Sequence, residues 1–281
     1  MNSNIDLHIH STASDGTDTI EFILEKLTAA GIHTFSLTDH DTIEGAIAMR
    51  DLVPEHMHFI PGIEFSCTTS FKKCHILGYD FDSSDKLFQD TLKLGKTLRQ
   101  EKLLRRITFL EENFGIVLTE EERAWLHAQE SPGKPSFGQI LVARNMAPDI
   151  DTAIKKYINP CKVKNDRIDA DIAIKAIVHA GGIPVWAHPL GGEGERRLTT
   201  EEFQRQLEEL IADGIQGLEC YYSRYSQDEI AFLLEQANAH NLLISGGSDY
   251  HGSNKKGITL GKLNKDNLPV DTKCVTLINM L

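Results

Sequence analysis

The first eighty residues switch repeatedly between the two periods that apolar side chains follow in strands and helices. Ile5-Asp6-Leu7-His8-Ile9-His10 reads as a strand. Residues 18–30 read as an amphipathic helix, with Asp18 and Glu21 spaced as in a capping box and Gly31 as the stop. Thr34-Phe35-Ser36-Leu37-Thr38 reads as a second strand, 42–52 as a second helix, and 59–60, 63–65 and 75–79 as short strands. The pattern then changes. From 84 to 167 there is no convincing strand, and helices are expected at 86–113, 120–127 and 137–145. Alternation resumes with a helix at 170–180 ended by Gly181-Gly182, then a strand at 183–187. A helix at 200–213, a strand at 215–220, a helix at 228–240 and a strand at 242–245 follow. This order predicts an α/β barrel or doubly wound sheet built from 1–83 and 168–281, with an all-helical lobe, 84–167, inserted between them.

Composition narrows the class. A chain of 281 residues with 41% hydrophobic and 25% charged residues can bury one large core, which argues against wholesale disorder. No apolar run approaches the roughly 18 residues of a membrane span. The opening Met1-Asn2-Ser3-Asn4-Ile5-Asp6 lacks the basic and apolar segments of a signal peptide, so a cytoplasmic location is expected. A formal net charge of −12 should repel duplex nucleic acid, whose binding rests on Lys and Arg neutralising phosphates. A small phosphorylated substrate is still compatible, because bound divalent cations reverse the field locally. The five cysteines, Cys67, Cys74, Cys161, Cys220 and Cys274, show no C-x-x-C spacing. They are expected to be buried free thiols, forming neither a disulfide framework nor a structural zinc site.

The histidines and carboxylates carry the chemistry. His8 and His10 lie two apart on a strand and so leave the same face. His40 follows the second strand, Glu64 sits in Gly62-Ile63-Glu64-Phe65, and His75 opens the next strand. His188 follows Val185-Trp186-Ala187, and Asp249 and His251 follow the last strand. Most of these positions fall at the carboxyl ends of strands, the rim where α/β folds build active sites. One histidine at a strand end is usually a hydrogen-bonded loop residue. Agreement among six, from separate strands, points to a metal centre. Nitrogen and oxygen donors without thiolate suit Zn, Mn or Fe, with Mg as a further option. His33, His56, His58, His127, His179 and His240 read as structural or solvated.

Asp6-Leu7-His8-Ile9-His10-Ser11, Thr38-Asp39-His40-Asp41, Gly62-Ile63-Glu64, His75-Ile76-Leu77-Gly78-Tyr79, Ala187-His188-Pro189 and Gly247-Ser248-Asp249-Tyr250-His251 together resemble the motifs of the polymerase and histidinol phosphatase (PHP) superfamily, in the family's order. The resemblance implies a distorted (β/α)7 TIM-like barrel holding two or three divalent ions. It points to the branch of small phosphoesterases with a helical insertion, which includes nucleotide 3',5'-bisphosphate phosphatases and trimmers of RNA 5' ends. In that branch a metal-bound hydroxide attacks the phosphoester, and ions about 3.5–4 Å apart share the phosphoryl charge. Carried over, the resemblance gives His8, His10, Glu64 and Asp249 to a first ion, and Glu64, His75 and His188 to a second. Asp15, His40 and His251 go to a third, with Asp15 standing where some relatives have histidine. Asp6 and Asp39 are expected to orient ligand imidazoles.

The lobe is expected to cover the barrel mouth and supply substrate contacts. Lys134 and Ser136 stand where relatives tend to have an Arg-Pro-His sequence, and Arg144 and Arg224 are candidate phosphate clamps. Two other classes compete. Amidohydrolases and deaminases also begin with His-x-His, but usually need a carboxylated lysine on a middle strand, and none stands at a strand end here. A non-catalytic, metal-stabilised accessory domain would have no need of the full motif set.

Overall fold

The computed structural model describes residues 3–129, 132–163, 166–192 and 196–281. Its central sheet runs β1 (Ile5–Ile9), β2 (Thr34–Leu37), β3 (His58–Thr68), β4 (Lys73–Tyr79), β6 (Ile183–Trp186), β7 (Gly217–Tyr222) and β8 (Leu243–Gly247), with a two-residue β5 (Ile168–Asp169) beside β3. β1–β2, β2–β3, β6–β7 and β7–β8 are parallel, whereas β4 runs antiparallel to both β3 and β6. All five residues of β1 and all four of β6 are buried, as expected of strands covered on both faces. Helices α1 (Ile20–Ala30), α2 (Glu44–Arg50), α7 (Ala170–His179), α8 (Thr200–Asp213) and α9 (Gln227–Ala239) lie between successive strands along the chain.

The sheet curls until its ends nearly meet. Ile9 bridges Tyr250, His10 N donates to Tyr250 O (2.9 Å), and Asp249 N donates to His8 O (2.8 Å). Asp6 holds this seam from below, accepting from Ser248 N and Gly261 N at 2.8 Å each. Burial outweighs those bonds and lifts the Asp6 carboxyl to about 6. Gly247 is what lets the two ends approach: a Cβ there would lie 2.2 Å from His8 Cβ and 2.5 Å from His8 N.

Several elements differ from the pattern read along the chain. The two short strands expected at 59–60 and 63–65 are one, β3. It pairs with β2 through Pro61 and with β4 from Gly62 onward, so the apparent break is a change of partner. The cap of α1 is Thr19, whose side chain accepts from Phe22 N, and not Asp18. Asp18 instead accepts from Lys26 Nζ and Tyr250 OH, both at 2.6 Å. β5 is too short to leave a period in the sequence.

Between β4 and β5 the described residues are helical: α3 (Lys86–Phe114), α4 (Glu120–Ala128), α5 (Lys134–Ala143), α6 (Ile150–Ala153) and a π-helical turn, Ile154–Ile158. α5 starts three residues earlier than expected, with Gly133 as N-cap and a proline in its first turn. α3 belongs to two cores. Phe88 and Leu92 pack in the barrel cluster with Phe65 and Ile177, while Leu103, Ile107 and Leu110 pack with Leu126, Phe137 and Leu141. The helical cluster therefore begins at Leu103, some way inside the expected boundary at 84. Among the cysteines Cys67, Cys74 and Cys220 are buried, but Cys161 is half-buried and Cys274 exposed; all five are free. No helix among the described residues is long and apolar enough to cross a membrane.

Because Gly247 makes the seam, Gly247→Ala should destabilise the fold by about 1–3 kcal/mol, lowering the melting temperature by roughly 2–4 °C for each kcal/mol. Thermal unfolding followed by circular dichroism reads this directly. An unchanged transition would show that β1 and β8 do not meet so closely.

Candidate metal centre

β1 sends His8 and His10 to the same face, and their Nε2 atoms lie 3.1 Å apart. Glu64, from β3, stands at the centre. Its Oε2 is 3.3 Å from His8 Nε2 and 3.1 Å from both His10 Nε2 and His40 Nδ1. Its Oε1 is 2.9 Å from His75 Nδ1 and 3.2 Å from His188 Nε2. Asp249 Oδ1 lies 3.5, 3.4 and 3.3 Å from nitrogens of His8, His10 and His251. Asp15 Oδ1 lies 3.1 Å from His251 Nε2 and 3.8 Å from His10 Nδ1. The fold thus brings all nine candidate ligands into one buried cluster. Eight of them fall into three overlapping groups of donor atoms: His8, His10 and Asp249; His40, Glu64 and His75; and His10, Asp15, His40 and His251; the ninth, His188, joins through Glu64 Oε1 and His75 Nδ1. His10 and His40 each sit closer to a second group than the family pattern implies. His188 and Asp249 hold positive φ, 30° and 57°, a backbone cost of the kind that collects at functional sites.

Two side chains unnoticed in the sequence shape the cluster. Glu219, buried on β7, accepts from His8 Nδ1 (2.8 Å) and from His188 N (2.6 Å). It fixes the tautomer that turns His8 Nε2 toward Glu64, as a carboxylate behind a ligand imidazole does. Lys255 donates to Asp249 Oδ2, which also accepts from Tyr222 OH (3.0 Å), leaving Oδ1 facing the imidazoles. The only trace of Glu219 in the sequence is a charged residue inside the apolar run Gly217-Leu218-Glu219-Cys220. Asp6 and Asp39 do not orient imidazoles. Asp6 binds backbone amides at the seam. Asp39 accepts from Ser11 N (2.8 Å), Ser11 Oγ (2.7 Å) and Ser14 Oγ (2.5 Å), and reaches His10 only through Ser14.

The charges suit a cation. Burial raises the cost of ionising Asp15, Glu64 and Asp249, yet all three are held well below the usual carboxylate range. His251 and His40 do this for Asp15, His40 and His75 for Glu64, and Lys255 and His8 for Asp249. Burial pulls His40, His75 and His251 down toward the neutral form that ligates, against the attraction of the same carboxylates. For His8 and His10 burial is outweighed, by Glu219 and Glu64 in the first case and by Asp249 and Glu64 in the second, which lift His10 to about 9. Asp15 Oδ1, His40 Nδ1 and Glu64 Oε2 are buried without a hydrogen-bond partner, although each lies within 3.1 Å of an imidazole or a carboxylate. Buried polar atoms so placed are expensive in an apo protein and are what a divalent ion requires. The set therefore fits Zn, Mn or Fe.

The expected substrate contacts separate. Lys134 Nζ donates to Asn159 Oδ1 (2.8 Å). Ser136, buried, donates to Gln129 Oε1 (2.7 Å) and accepts from Gly133 N (3.3 Å), which makes it part of the helix start. Arg144 forks onto Glu122 at the far end of the ten-residue α5, about 15 Å from Gly133. Arg224 donates to Lys256 O (3.1 Å), one residue from Lys255, and stays close to the cluster. The start of α5 does reach the centre, since a Cβ on Gly133 would lie 3.2 Å from Asp15 Cβ. Behind His40, Arg99 Nε donates to Asp41 (2.5 Å) and Arg99 Nη2 to Ser66 Oγ (2.9 Å).

Comparison with known proteins identifies the family. The profile of the family described as PHP domain matches residues 6–159. The chain is 29% identical to a 3',5'-nucleoside bisphosphate phosphatase of Chromobacterium violaceum over 92% of its own length and 91% of the relative's. It is also 29% identical to a 5'-3' exoribonuclease of Haemophilus influenzae, over 89% and 91%. A Bifidobacterium adolescentis structure described as a metal-dependent phosphoesterase superposes with TM-score 0.81 at 26% identity, covering 94% of this chain and 93% of that one. A C. violaceum structure described as an amidohydrolase, with bound sulfate and no metal, superposes with TM-score 0.79 at 28% identity, covering 89% and 88%.

Two outcomes are expected of the centre itself. Glu219→Gln should weaken Mn²⁺ binding by about 10–100-fold, as loss of a group behind a ligand imidazole does. Calorimetric titration measures this, and an unchanged affinity would reduce Glu219 to a packing role. Second, His10 is raised, so it carries a proton at pH 7 that an entering cation must displace. Mn²⁺ added to chelator-stripped protein should release protons, and apparent affinity should rise with pH from 7 toward 9. A pH electrode in weakly buffered solution detects the release; pH-independent binding without it would contradict the charge assignment.

Proposed function

The chain belongs to the PHP domain family, and from that premise we propose that it hydrolyses a phosphomonoester of a nucleotide 3',5'-bisphosphate or of a short 5'-phosphorylated RNA. One observation carries the reading: Glu64 lies within 3.3 Å of five imidazoles at the rim of the barrel, with Asp15 and Asp249 completing an all-nitrogen-and-oxygen donor set. His8, His10, Asp15, His40, Glu64, His75, His188, Asp249 and His251 would hold two or three ions of Mn, Zn or Fe, with Mg as a further option. Such ions activate water and neutralise charge on a transferred phosphoryl group. The protein's own part is to hold the donors rigid. Glu219 fixes His8, Lys255 and Tyr222 fix Asp249, and the seam fixes β1 against β8.

The seven strands on the main path support reading the sheet as the distorted seven-stranded barrel of the family, with β5 as an extra edge piece. Helices from Leu103 to Ile158 are read as a lobe over its mouth, because the start of α5 abuts Asp15 and Gln139 reaches Asn254 (3.5 Å). An amidohydrolase reading has less support. Lys255 is the lysine that enters the site, but it is held on Asp249 rather than bridging imidazole groups. The relatives named for phosphatase and exoribonuclease activities cover about nine tenths of the chain.

His10→Ala and Asp249→Ala should each lower turnover of a simple aryl phosphate with Mn²⁺ by about a thousandfold or more, since ions at this site share both nucleophile and phosphoryl charge. Phosphate release from purified wild type and variants tests this. Near-normal turnover in both variants would sink the reading.

A further inference from the structure

The residues that gather as His10, Asp15, His40 and His251 are held differently from the rest of the cluster. Around His8 and Asp249 the supporting groups belong to the barrel: Glu219 and Tyr222 on β7, and Lys255 after β8. His40 Nδ1, by contrast, has no hydrogen-bond partner, so the ring depends on how its backbone is held. Asp39, on one side, accepts from Ser11 and Ser14. Asp41, on the other, has φ 53°, a conformation that a residue other than glycine keeps only where its surroundings over-determine it. Two donors do so here. Ser66 N donates to Asp41 Oδ1 (2.7 Å) and Arg99 Nε to Asp41 Oδ2 (2.5 Å), and both Asp41 and Arg99 are buried.

Arg99 comes from α3, and Gly95, one turn earlier on the same face, lets that helix approach. A Cβ on Gly95 would lie 3.2 Å from Asp41 Cβ, tighter than ordinary van der Waals contact. Arg99 Nη2 also donates to Ser66 Oγ (2.9 Å), so one guanidinium ties Asp41 to β3. Four residues further on, at Leu103, the same helix enters the second core with Leu126 of α4 and Phe137 of α5. α5 meets the group from another side. A Cβ on Gly133, its N-cap, would lie 3.2 Å from Asp15 Cβ and 3.3 Å from Asp15 Oδ2. Gln139 Nε2 donates to Asn254 Oδ1 (3.5 Å), and Asn254 Nδ2 to Asp15 O (2.7 Å). The helical cluster therefore grips this group twice, at the neighbour of His40 and at Asp15.

We infer that Arg99 is a positioning residue for the ion position of Asp15, His40 and His251, and that docking of the helical cluster and filling of that position are one linked equilibrium. This rests on the reading above only for the presence of divalent ions. With the helices docked, the Arg99 fork keeps Asp41 at positive φ, and the start of α5 walls in Asp15. With the helices displaced, both supports go together, and His40 and Asp15 lose their alignment. Linkage of this kind is reciprocal: whatever the position gains from docked helices, the helices gain from an occupied position. Donors supported from the barrel alone, His8 and Asp249, are indifferent to it. The full donor set is aligned only while the helices are docked.

The test titrates the chelator-stripped full chain with Mn²⁺ by calorimetry. His251→Ala removes a donor of this position directly, and the binding step it abolishes marks the position. Arg99→Met and Gly133→Ala should each weaken that same step by about tenfold or more and leave the other steps within about twofold. Arg99→Lys keeps a charge for Asp41 but loses the fork, and should recover part of the loss. Filling the step should slow amide hydrogen exchange across Lys134–Ala143 in wild type but not in His251→Ala. Arg99→Met leaves Asp41 buried without its cation; if that variant does not fold, Gly133→Ala carries the test from the other side. Equal weakening of every step, an unchanged step in either folded variant, or exchange that ignores Mn²⁺ overturns the linkage. So does a His251→Ala protein that loses no step. A wild type that shows the linkage and yet releases no phosphate from any phosphoester would leave it standing and remove the hydrolytic reading.

Discussion

One buried carboxylate organises this molecule. Glu64 lies within reach of His8, His10, His40, His75 and His188, side chains that come from four different strands or the loops after them. A lone ionised carboxylate at such depth would be very costly. Here the surrounding imidazoles repay it, and Asp15, Asp249 and Glu219 share the same electrostatic neighbourhood. Every other arrangement near the rim follows from keeping that group in place. β3 must run straight through Pro61 to deliver it, β4 must turn antiparallel to bring His75 beside it, and β1 must meet β8 so that Asp249 faces His8 and His10.

The same neighbourhood explains how a strongly acidic chain can serve an anionic ligand. Net charge sets the far field, but a substrate close to the rim would meet the local arrangement, where ions fitting the histidine cluster would supply positive charge. Arg99 adds to it from α3, one edge on Asp41 beside His40 and the other on Ser66 beside His75. That helix thereby takes part in the electrostatics of the cluster without contributing any of the nine candidate ligands.

The clustering of the candidate ligands was readable in the sequence because strand-end histidines repeat a positional rule, and spacing of two on a strand fixes a shared face. The cationic face of α3 was not readable. Arg99, Lys102 and Arg106 look like the solvated face of a charged helix, and only tertiary packing reveals that this face is turned inward. Glu219 escaped for the opposite reason, as a single carboxylate in an apolar strand has no period or motif to announce it. The pairing of Arg144 with Glu122 was equally hidden, because it joins two helices that no local period relates. The break read at Pro61 and Gly62 was a change of partner strand, which local propensity cannot distinguish from an end. Asp18 lost the capping position to its neighbour Thr19 because its carboxylate had a better offer from Lys26 and Tyr250.

The seam between β1 and β8 has a further consequence, for how the protein is made. Asp6 and Ser248 are joined by a hydrogen bond although 242 positions separate them along the chain. A ribosome that has released the first two hundred residues has delivered His8, His10, Asp15, His40, Glu64, His75 and His188, but not Asp249 or His251. The nascent chain at that stage holds a half-built coordination sphere with exposed imidazoles and carboxylates and an unpaired β1 edge. Contacts of such long range form late and slowly. A cation held by His8, His10 and Asp249 would join the two ends only after both have been made, and would act as a clasp on the loop between them.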